Sequence, residues 1–408
     1  MSKIILKTYQ EVLEEIDGKE NHLLLGNGFN MSLGVHTDYK SIFEEMKKKY
    51  AAYQSVEGAM KKHGYDLEKI IGEFEMKIEK GENFLSKFIH NKIQLDFMKA
   101  ASRLTASQVN KVYQEKNEGI HLLLKNFSTY FTLNYDPFLY LLLMKFKENK
   151  NNDGIAFQHT FQFIEADLNE EQNDIYTKIK EARNNGQLSV HVNGNGTSKK
   201  LRLCTKTEFS AVIKTHFKDE EWTPADIAKA VGLVWGEENE SHKITTDDGF
   251  RQNSLFPEPV FNENNETQNL FFLHGAFHIY KEGDIVKKVT QQSEKALYNR
   301  LEEIINNEEG DIVCVFSNEN KINEIEGSEY LKKAYYQLSQ LSGSVVILGC
   351  SFSENDKHIF DQLKKSQIDT IYISSTEKRK EEAYKNAREL FDDKNIVLFD
   401  RETISYEK

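Results

Sequence analysis

The chain has 408 residues, of which 39% are apolar and 29% charged, and these values predict a real hydrophobic core in one large domain or two ordinary ones. A net charge of −12 argues against binding nucleic acid by charge alone. Cys204, Cys314 and Cys350 form no CxxC pair, which excludes a four-cysteine zinc site and is typical of a reducing cytoplasm. No apolar run has the length of a signal sequence or a membrane span, so we expect neither.

Short apolar runs predict buried strands, in chain order, at 22–28, 128–136, 310–317, 343–351 and 369–375. Runs without polar alternation are typical of strands that are covered on both faces. Amphipathic stretches predict helices at 328–341, 353–366 and 377–393, and Ser328 is the expected N-cap of the first. This series predicts an α/β fold with a Rossmann-like open parallel sheet and helices on both faces.

Two long segments interrupt the series. The first is predicted to be largely helical, whereas the second mixes polar runs with a helix that begins at Thr223-Pro224. We therefore predict a single domain over 1–408 with two insertions. Its parts are a core at about 1–44, 127–146 and 268–408, a helical insertion at 45–126 and a mixed insertion at 147–267.

The stretch LLLGNGFNMSLG contains a glycine turn directly after the first predicted strand. Gly26 and Gly28 would let a phosphate approach the backbone, and free N–H groups at a helix start favour an anion. The third glycine of a dinucleotide fingerprint is replaced by Met31, and no P-loop pattern is present. The turn is either an anion site or an ordinary strand–turn–helix connection.

The motif TLNYDP places Asn134 and Asp136 where the second predicted strand ends. Ligands of open parallel sheets bind outside the carboxyl ends of the strands, and these side chains can donate to and accept from an amide. The alternative is an Asx turn ahead of Pro137.

The motif NLFFLHGAFHIYKEG contains His274 between an aromatic run and Gly275. A lone histidine in an apolar strand is commonly a core residue with its hydrogen bonds satisfied. His278 lies four residues later, which would suit a metal pair on a helix. The glycine and the surrounding aromatic and β-branched residues argue against a helix, so we expect no metal.

The motif LGCSFSENDKHI follows a late strand and opens a helix. Ser351, close to Gly349, could bond a phosphate or a ribose hydroxyl. Asp356 could orient a neighbour or cap the helix, and capping is the expected role.

Taken in order, these motifs resemble those of the sirtuin-like NAD-consuming superfamily. The equivalent stretches are Gly26-Asn27-Gly28-Phe29-Asn30, Leu133-Asn134-Tyr135-Asp136, His274-Gly275 and Gly349-Cys350-Ser351. The chain is also similar, in the stretches GNGFNMSL, FFLHGAFHIY, FSNENKINEIEGSEYL and LGCSFSEND, to a zinc-less bacterial antiphage-defence branch that destroys NAD, some members of which pair with a hexameric HerA-type ATPase. The chain departs from the deacylases by lacking the zinc module, by Leu133 in place of a glutamine, and by Ser374 or Ser375 in place of the asparagine that holds the adenosine ribose.

The resemblance implies an NAD+ glycohydrolase, with NAD+ as substrate, water as acceptor and no metal. It implies three catalytic roles: Asn134 fixes the nicotinamide ribose and a water, Asp136 holds the carboxamide, and His274 is a general base that titrates near neutral pH. The residues that it implies for nucleotide binding are Gly26, Gly28 and Phe29 through backbone N–H groups at the pyrophosphate, and Asn27, Asn30, Gly349, Ser351 and Ser374 in the adjoining positions.

An NAD hydrolase must be controlled, so we expect activity to be gated by a homo-oligomer or a partner such as the HerA-type ATPase in the cytoplasm. The helical insertion at 45–126 is the expected contact or lid, because insertions commonly carry partner contacts. We expect no direct nucleic-acid or membrane contact. Two alternatives remain: a non-catalytic NAD or ADP-ribose-binding scaffold, and a Rossmann oxidoreductase, against which the missing third glycine argues.

Overall fold

The structure of the protein is a computed structural model. It describes residues 4–81, 84–145, 156–159, 168–188, 190–191, 198–199, 204–240, 244–289, 294–307, 309–316 and 321–406. Parts of the predicted mixed insertion at 147–267, and residues 317–320 of the FSNENKINEIEGSEYL stretch, lie outside these ranges.

The strands are β1 (Lys7–Thr8), β2 (Asn21–Leu25), β3 (Thr129–Thr132), β4 (Ala156–His159), β5 (Val190–His191), β6 (Ser198–Lys199), β7 (Ile244–Asp247), β8 (Phe250–Asn253), β9 (Phe256–Phe261), β10 (Leu270–Phe272), β11 (Gly275–Glu282), β12 (Ile285–Lys288), β13 (Asp311–Cys314), β14 (Ser342–Leu348), β15 (Gln367–Ser375) and β16 (Asn395–Asp400). The helices are α1 (Tyr9–Ile16), α2 (Asn27–Ser32), α3 (Tyr39–Lys49), α4 (Ala52–Lys62), α5 (Leu67–Glu79), α6 (Phe84–Leu124), α7 (Phe138–Lys145), α8 (Glu170–Asn184), α9 (Lys206–His216), α10 (Pro224–Glu240), α11 (Glu294–Asn306), α12 (Lys321–Glu326), α13 (Glu329–Gln337), α14 (Lys357–Lys364) and α15 (Lys380–Leu390).

Seven strands form one sheet in the order β1-β16-β15-β14-β2-β3-β10, and every neighbouring pair is parallel. All five residues of β2 are buried, as expected for a central strand that is covered on both faces. Helices such as α13 and α15 pack against this sheet. Leu24, Phe131 and Val346 belong to the core that results. The predicted Rossmann-like α/β fold is therefore confirmed.

One predicted strand of the parallel sheet lies elsewhere. The run at 310–317 contains β13, which pairs antiparallel with β11 in a second sheet of order β13-β11-β12-β9-β8. An apolar run encodes burial but not the strand that it pairs with, so the prediction was right about the strand and wrong about its sheet. The parallel sheet also contains three strands that were not among the five predicted runs: β10, β16 and the short β1.

The helical part of the chain between β2 and β3 packs against the second sheet. Phe97 of α6 meets Phe277 of β11 edge to face, with ring centroids 5.5 Å apart, in a buried cluster that includes Phe43 of α3. Although α6 has 41 residues, no helix in the described part of the chain is both long and apolar enough to cross a membrane. This insertion therefore brings its own side chains close to the region between the two sheets.

Two predicted helix starts had different outcomes. The predicted start at Thr223-Pro224 is confirmed, because α10 begins at Pro224 and the Asp226 N–H donates to Thr223 Oγ1 over 3.2 Å. Ser328 is the N-cap of α13 as expected, but its side chain makes no capping hydrogen bond there.

Candidate functional site

The candidate site lies where the order of the parallel sheet reverses. β2 and β14 are neighbours, but the chain continues from β2 towards β3 and β10 on one side and from β14 towards β15 and β16 on the other. Open α/β sheets bind ligands at such a switch point, outside the carboxyl ends of the strands. A cavity of about 420 Å³ lies at that place. It is lined by Gly26, Asn27, Gly28, Thr37, Asp38, Tyr39, Ile42, Glu68, Phe97, Ala101, Leu133, Asn134, Tyr135, Asp136, His274, Phe277, Gly349, Cys350, Ser351, Ser353, Asn355 and Asp356.

Three glycines at this point let two turns touch. A Cβ atom on Gly28 would lie 2.6 Å from Gly349 Cα, and one on Gly26 would lie 2.6 Å from Gly349 O. Gly349 itself has a φ of +76°, which favours glycine. The glycine turn after β2 is therefore explained first by the close approach of the turn after β14.

This contact corrects the predicted pyrophosphate cradle. The N–H of Gly26 donates to Leu348 O and that of Gly28 to Gly349 O, each over 2.9 Å. The N–H of Phe29 donates to Gly26 O over 3.0 Å, and the Phe29 side chain is buried outside the cavity lining. These N–H groups already have acceptors, so they are not free to bind an anion.

Asn30 is fully buried, and it supports the site from behind the lining. Its Nδ2 donates to Asp136 Oδ2 over 2.9 Å and to Thr37 Oγ1 over 3.1 Å, and its Oδ1 accepts from Asn134 Nδ2 over 3.3 Å. The predicted bond from Asn30 to phosphate or ribose is therefore replaced by a bridge between Asn134 and Asp136.

We expect Asn30→Ala to lower the free energy of unfolding by about 2 kcal/mol, because it leaves buried partners unsatisfied. Denaturant titration measures this loss, with the exposed Asn173→Ala on α8 as the control. A loss no larger than that of the control would contradict the bridging role.

Asp136 has both the predicted turn and a place in the cavity. Its Oδ1 accepts from the Phe138 N–H over 2.9 Å, which confirms the Asx turn considered as an alternative. Burial raises the pKa of Asp136 to about 6, while its bonds to Phe138 and Asn30 act in the opposite direction. The carboxyl therefore changes its charge just below neutral pH.

His274 occupies the short connection from β10 of the parallel sheet into β11 of the second sheet. Burial lowers its pKa well below the ordinary value, and the Lys321 ammonium lowers it further. This corrects the expected titration near neutrality: the ring is uncharged at pH 7, the state that can accept a proton. Neither His274 nor His278 lies on a helix, which removes the helical basis of a metal pair, and His278 instead stacks on Tyr140 with centroids 4.1 Å apart.

The turn after β14 combines exposed and structural side chains. Ser351 lines the cavity and is exposed, as the prediction requires. Ser374 is not among the lining residues; its Oγ accepts from the Gly349 N–H over 3.1 Å and so fixes the turn. Asp356 is the N-cap of α14 without a side-chain capping bond, and its Oδ1 lies 3.8 Å from His274 Nε2. Asp356 therefore occupies the expected cap position without a capping bond, and its carboxyl lies near His274 at more than hydrogen-bond distance.

Sequence reasoning expected a contact or lid in the helical insertion at 45–126 but identified none of its residues in the cavity wall. Glu68, Phe97 and Ala101 of this insertion line the cavity, together with Asp38 and Tyr39 just before it. Tyr39 Oη donates to Glu68 Oε1, and burial raises the pKa of Glu68 to about 7 against the lowering effect of Lys321. Glu68 gave no signal because a charge on an amphipathic helix ordinarily faces solvent.

The cavity is acidic. Four carboxyl groups line it, on Asp38, Glu68, Asp136 and Asp356, and no lining residue among those that the structure describes is lysine or arginine. Lys321 stands behind the lining, with Nζ 3.0 Å from Asn355 O and 3.9 Å from Glu68 Oε2. The cavity therefore suits a cationic or neutral group better than a multiply charged anion.

Comparison with known protein families gives a match over part of the chain. Residues 226–404 match the model of a domain of unknown function, DUF4917. The match spans less than half of the chain: it includes His274 and the turn after β14, but not the glycine turn after β2 or Asn134 and Asp136. No curated protein matches the chain.

Proposed function

We propose that the protein is an NAD+ glycohydrolase that cleaves the nicotinamide–ribose bond and yields nicotinamide and ADP-ribose. One observation supports this above the others: two separate segments bring Asn134, Asp136 and His274 to one cavity at the switch point of the sheet, and a third segment brings Ser351 beside them. The order of these residues also resembles that of the sirtuin-like superfamily.

Hydrolysis of the nicotinamide–ribose bond requires a positioned water and a base, which Asn134 and His274 would provide. The C1′–N bond of the nicotinamide riboside breaks, and its electron pair stays on the pyridine nitrogen, so that nicotinamide leaves uncharged. A water held at Asn134 forms the new C1′–O bond while His274 accepts its proton. The transition state resembles an oxocarbenium ion, as in other glycosyl transfers.

The acidic lining favours the cationic end of this substrate. The pyridinium ring and the oxocarbenium-like ribose both carry positive charge, which Glu68, Asp136 and Asp356 would stabilise when ionised. The pyrophosphate would lie towards the exposed Ser351, whose hydroxyl can donate to it. This arrangement replaces the predicted cradle at Gly26, Gly28 and Phe29.

The test is release of free nicotinamide from NAD+ by the purified chain. We expect Asn134→Ala to lower the rate by about ten- to a hundredfold, because the water and ribose lose their orientation. Asn173→Ala on the exposed face of α8 is the control and should act like wild type. Binding of NAD+ without release by wild type would instead support the scaffold alternative.

We further propose that this activity belongs to antiphage defence in the cytoplasm and is gated by a homo-oligomer or by a hexameric HerA-type ATPase. The insertion that carries Glu68 and Phe97 into the cavity wall supports this, because a contact on those helices would act directly on the site. Light scattering after size-exclusion tests the gating; a fully active monomer would contradict it.

A further inference from the structure

A second histidine lies against His274. The Nε2 atoms of His274 and His358 are 3.3 Å apart, and the rings stack with an interplanar angle of 25°. His358 is the second residue of α14, the helix that follows the turn carrying Ser351. Motif reasoning did not single it out, since its position in the sequence is that of an ordinary helix residue.

Each ring also forms a hydrogen bond with the backbone, and these bonds determine whether a proton lies between the two Nε2 atoms. His274 is hydrogen-bonded to the backbone of Leu133 and His358 to that of Asn355, and each bond raises the pKa of its ring, as donation to a carbonyl does. Because each Nε2 faces the other ring, the donating nitrogen is Nδ1. A neutral imidazole has one N–H, so two neutral rings would direct two lone pairs at each other.

We infer that His274 and His358 act as one base, in which His358 is a positioning residue that shares the proton accepted by His274. This inference rests on the proposed function. The proton taken from the attacking water is held between the two Nε2 atoms, where it replaces a contact of two lone pairs with an N–H···N hydrogen bond. The pair is therefore a stronger base than a single buried ring.

The charged and titratable surroundings of the pair are consistent with one shared proton. Asp356 Oδ1 lies 3.8 Å from His274 Nε2 and can balance one positive charge. Burial lowers the pKa of both rings, that of His358 to about 4, and the Lys321 ammonium lowers both further; a charged His358 also lowers the pKa of His274, so a second proton is excluded near neutrality. Two tyrosines also face the pair in the described part of the chain: Tyr135 stacks on His274, and Tyr335 stacks on His358. Further out, Glu68 interacts with Lys321, and Cys350 interacts with Asp356.

The pH profile of nicotinamide release tests the pair. In His358→Phe the ring stack is kept and the nitrogen is lost; we expect the rate to fall about ten- to a hundredfold, part of what a general base contributes, and the acid limb to move to lower pH. In His358→Gln the amide oxygen can accept from His274 Nε2, so activity should be partly restored. The control is His216→Gln, because His216 is exposed at the end of α9. A His358→Phe variant with the wild-type rate and profile would overturn the inference.

Imidazole nitrogen spectra of the protein without NAD+ give an independent readout. We expect both rings to be protonated on Nδ1 and to share one protonation step, which His358→Phe changes at His274. Two separate steps, or a His274 signal that is unaffected by His358→Phe, would contradict the pair. If wild type releases no nicotinamide, the proposed function fails while these spectra still decide whether the rings share a proton.

Discussion

Glu68→Gln is expected to make the protein more stable at pH 8 and less active there. The carboxyl is buried in the cavity wall, accepts from Tyr39 Oη and lies 3.9 Å from Lys321 Nζ. Glutamine keeps the shape and an acceptor for the tyrosine but removes the charge. The variant therefore separates the cost of the buried charge from its use in the cavity.

The stability effect follows from the pKa of Glu68, which burial raises from 4.5 in an exposed chain to about 7 in the fold. Below pH 4.5 the group is protonated in both the folded and the unfolded state, so the charge costs nothing. Above pH 7 the folded state must hold a buried charge that the unfolded chain leaves in water. Glu68→Gln should thus raise the free energy of unfolding by up to about 3 kcal/mol at pH 8 and have little effect at pH 4.5. Denaturant melts at the two pH values measure the difference.

The activity effect has the same pH dependence with the opposite sign. Above pH 7 the ionised carboxylate attracts the pyridinium ring and stabilises the oxocarbenium-like ribose, and the variant cannot do so. We expect its deficit in nicotinamide release to widen between pH 6 and pH 8. Glu73→Gln, exposed on the same helix, is the control and should leave both properties unchanged. A variant that gains stability but keeps full activity would remove Glu68 from the proposed site.

Much of this site could be predicted because sequence-local features determine it. A buried parallel strand reads as an apolar run, and the polar residues after it must lie at the carboxyl edge of the sheet. Asn134 and Ser351 both follow such runs, and His274 lies just beyond β10. Because all these strands belong to one parallel sheet, their carboxyl ends lie at the same edge, and the three side chains line one cavity there.

The parts that failed depend on contacts between distant segments. Whether the N–H of Gly28 is free depends on Gly349, more than 300 residues away. Whether Glu68 faces solvent depends on where α5 packs, and the helix pattern alone does not encode this. His358 is recognisable only by its distance from His274. Local pattern therefore identified the strand ends but not the groups that the insertion and α14 add to them.

Gly275→Ala is expected to give the largest loss of stability among these variants. Gly275 has a φ of +76°, and a Cβ atom added there would lie 1.8 Å from Val313 O of β13. The contact is with backbone of a paired strand, so it cannot be relieved by turning a side chain. The left-handed φ and the overlap together should lower the free energy of unfolding by about 4 kcal/mol.

Two other glycines separate these causes. Gly283 also has a positive φ, +60°, but nothing lies within 4 Å of an added Cβ, so Gly283→Ala should cost only the backbone strain of about 1–2 kcal/mol. Gly58 lies inside α4 with open space around it, and Gly58→Ala should stabilise by up to about 1 kcal/mol. Denaturant melts of the three variants measure these terms. If Gly275→Ala costs no more than Gly283→Ala, the approach of β13 is looser than the structure has it.

Gly275→Ala should also lower the rate of nicotinamide release, because Gly275 directly follows His274, the proposed base. The connection from β10 to β11 holds His274 between the stacked ring of Tyr135 and Nε2 of His358, and relief of the overlap with Val313 must move this connection. Under conditions where Gly275→Ala is still folded, nicotinamide release should therefore fall by more than tenfold, whereas Gly283→Ala, at the far end of β11, should keep the wild-type rate.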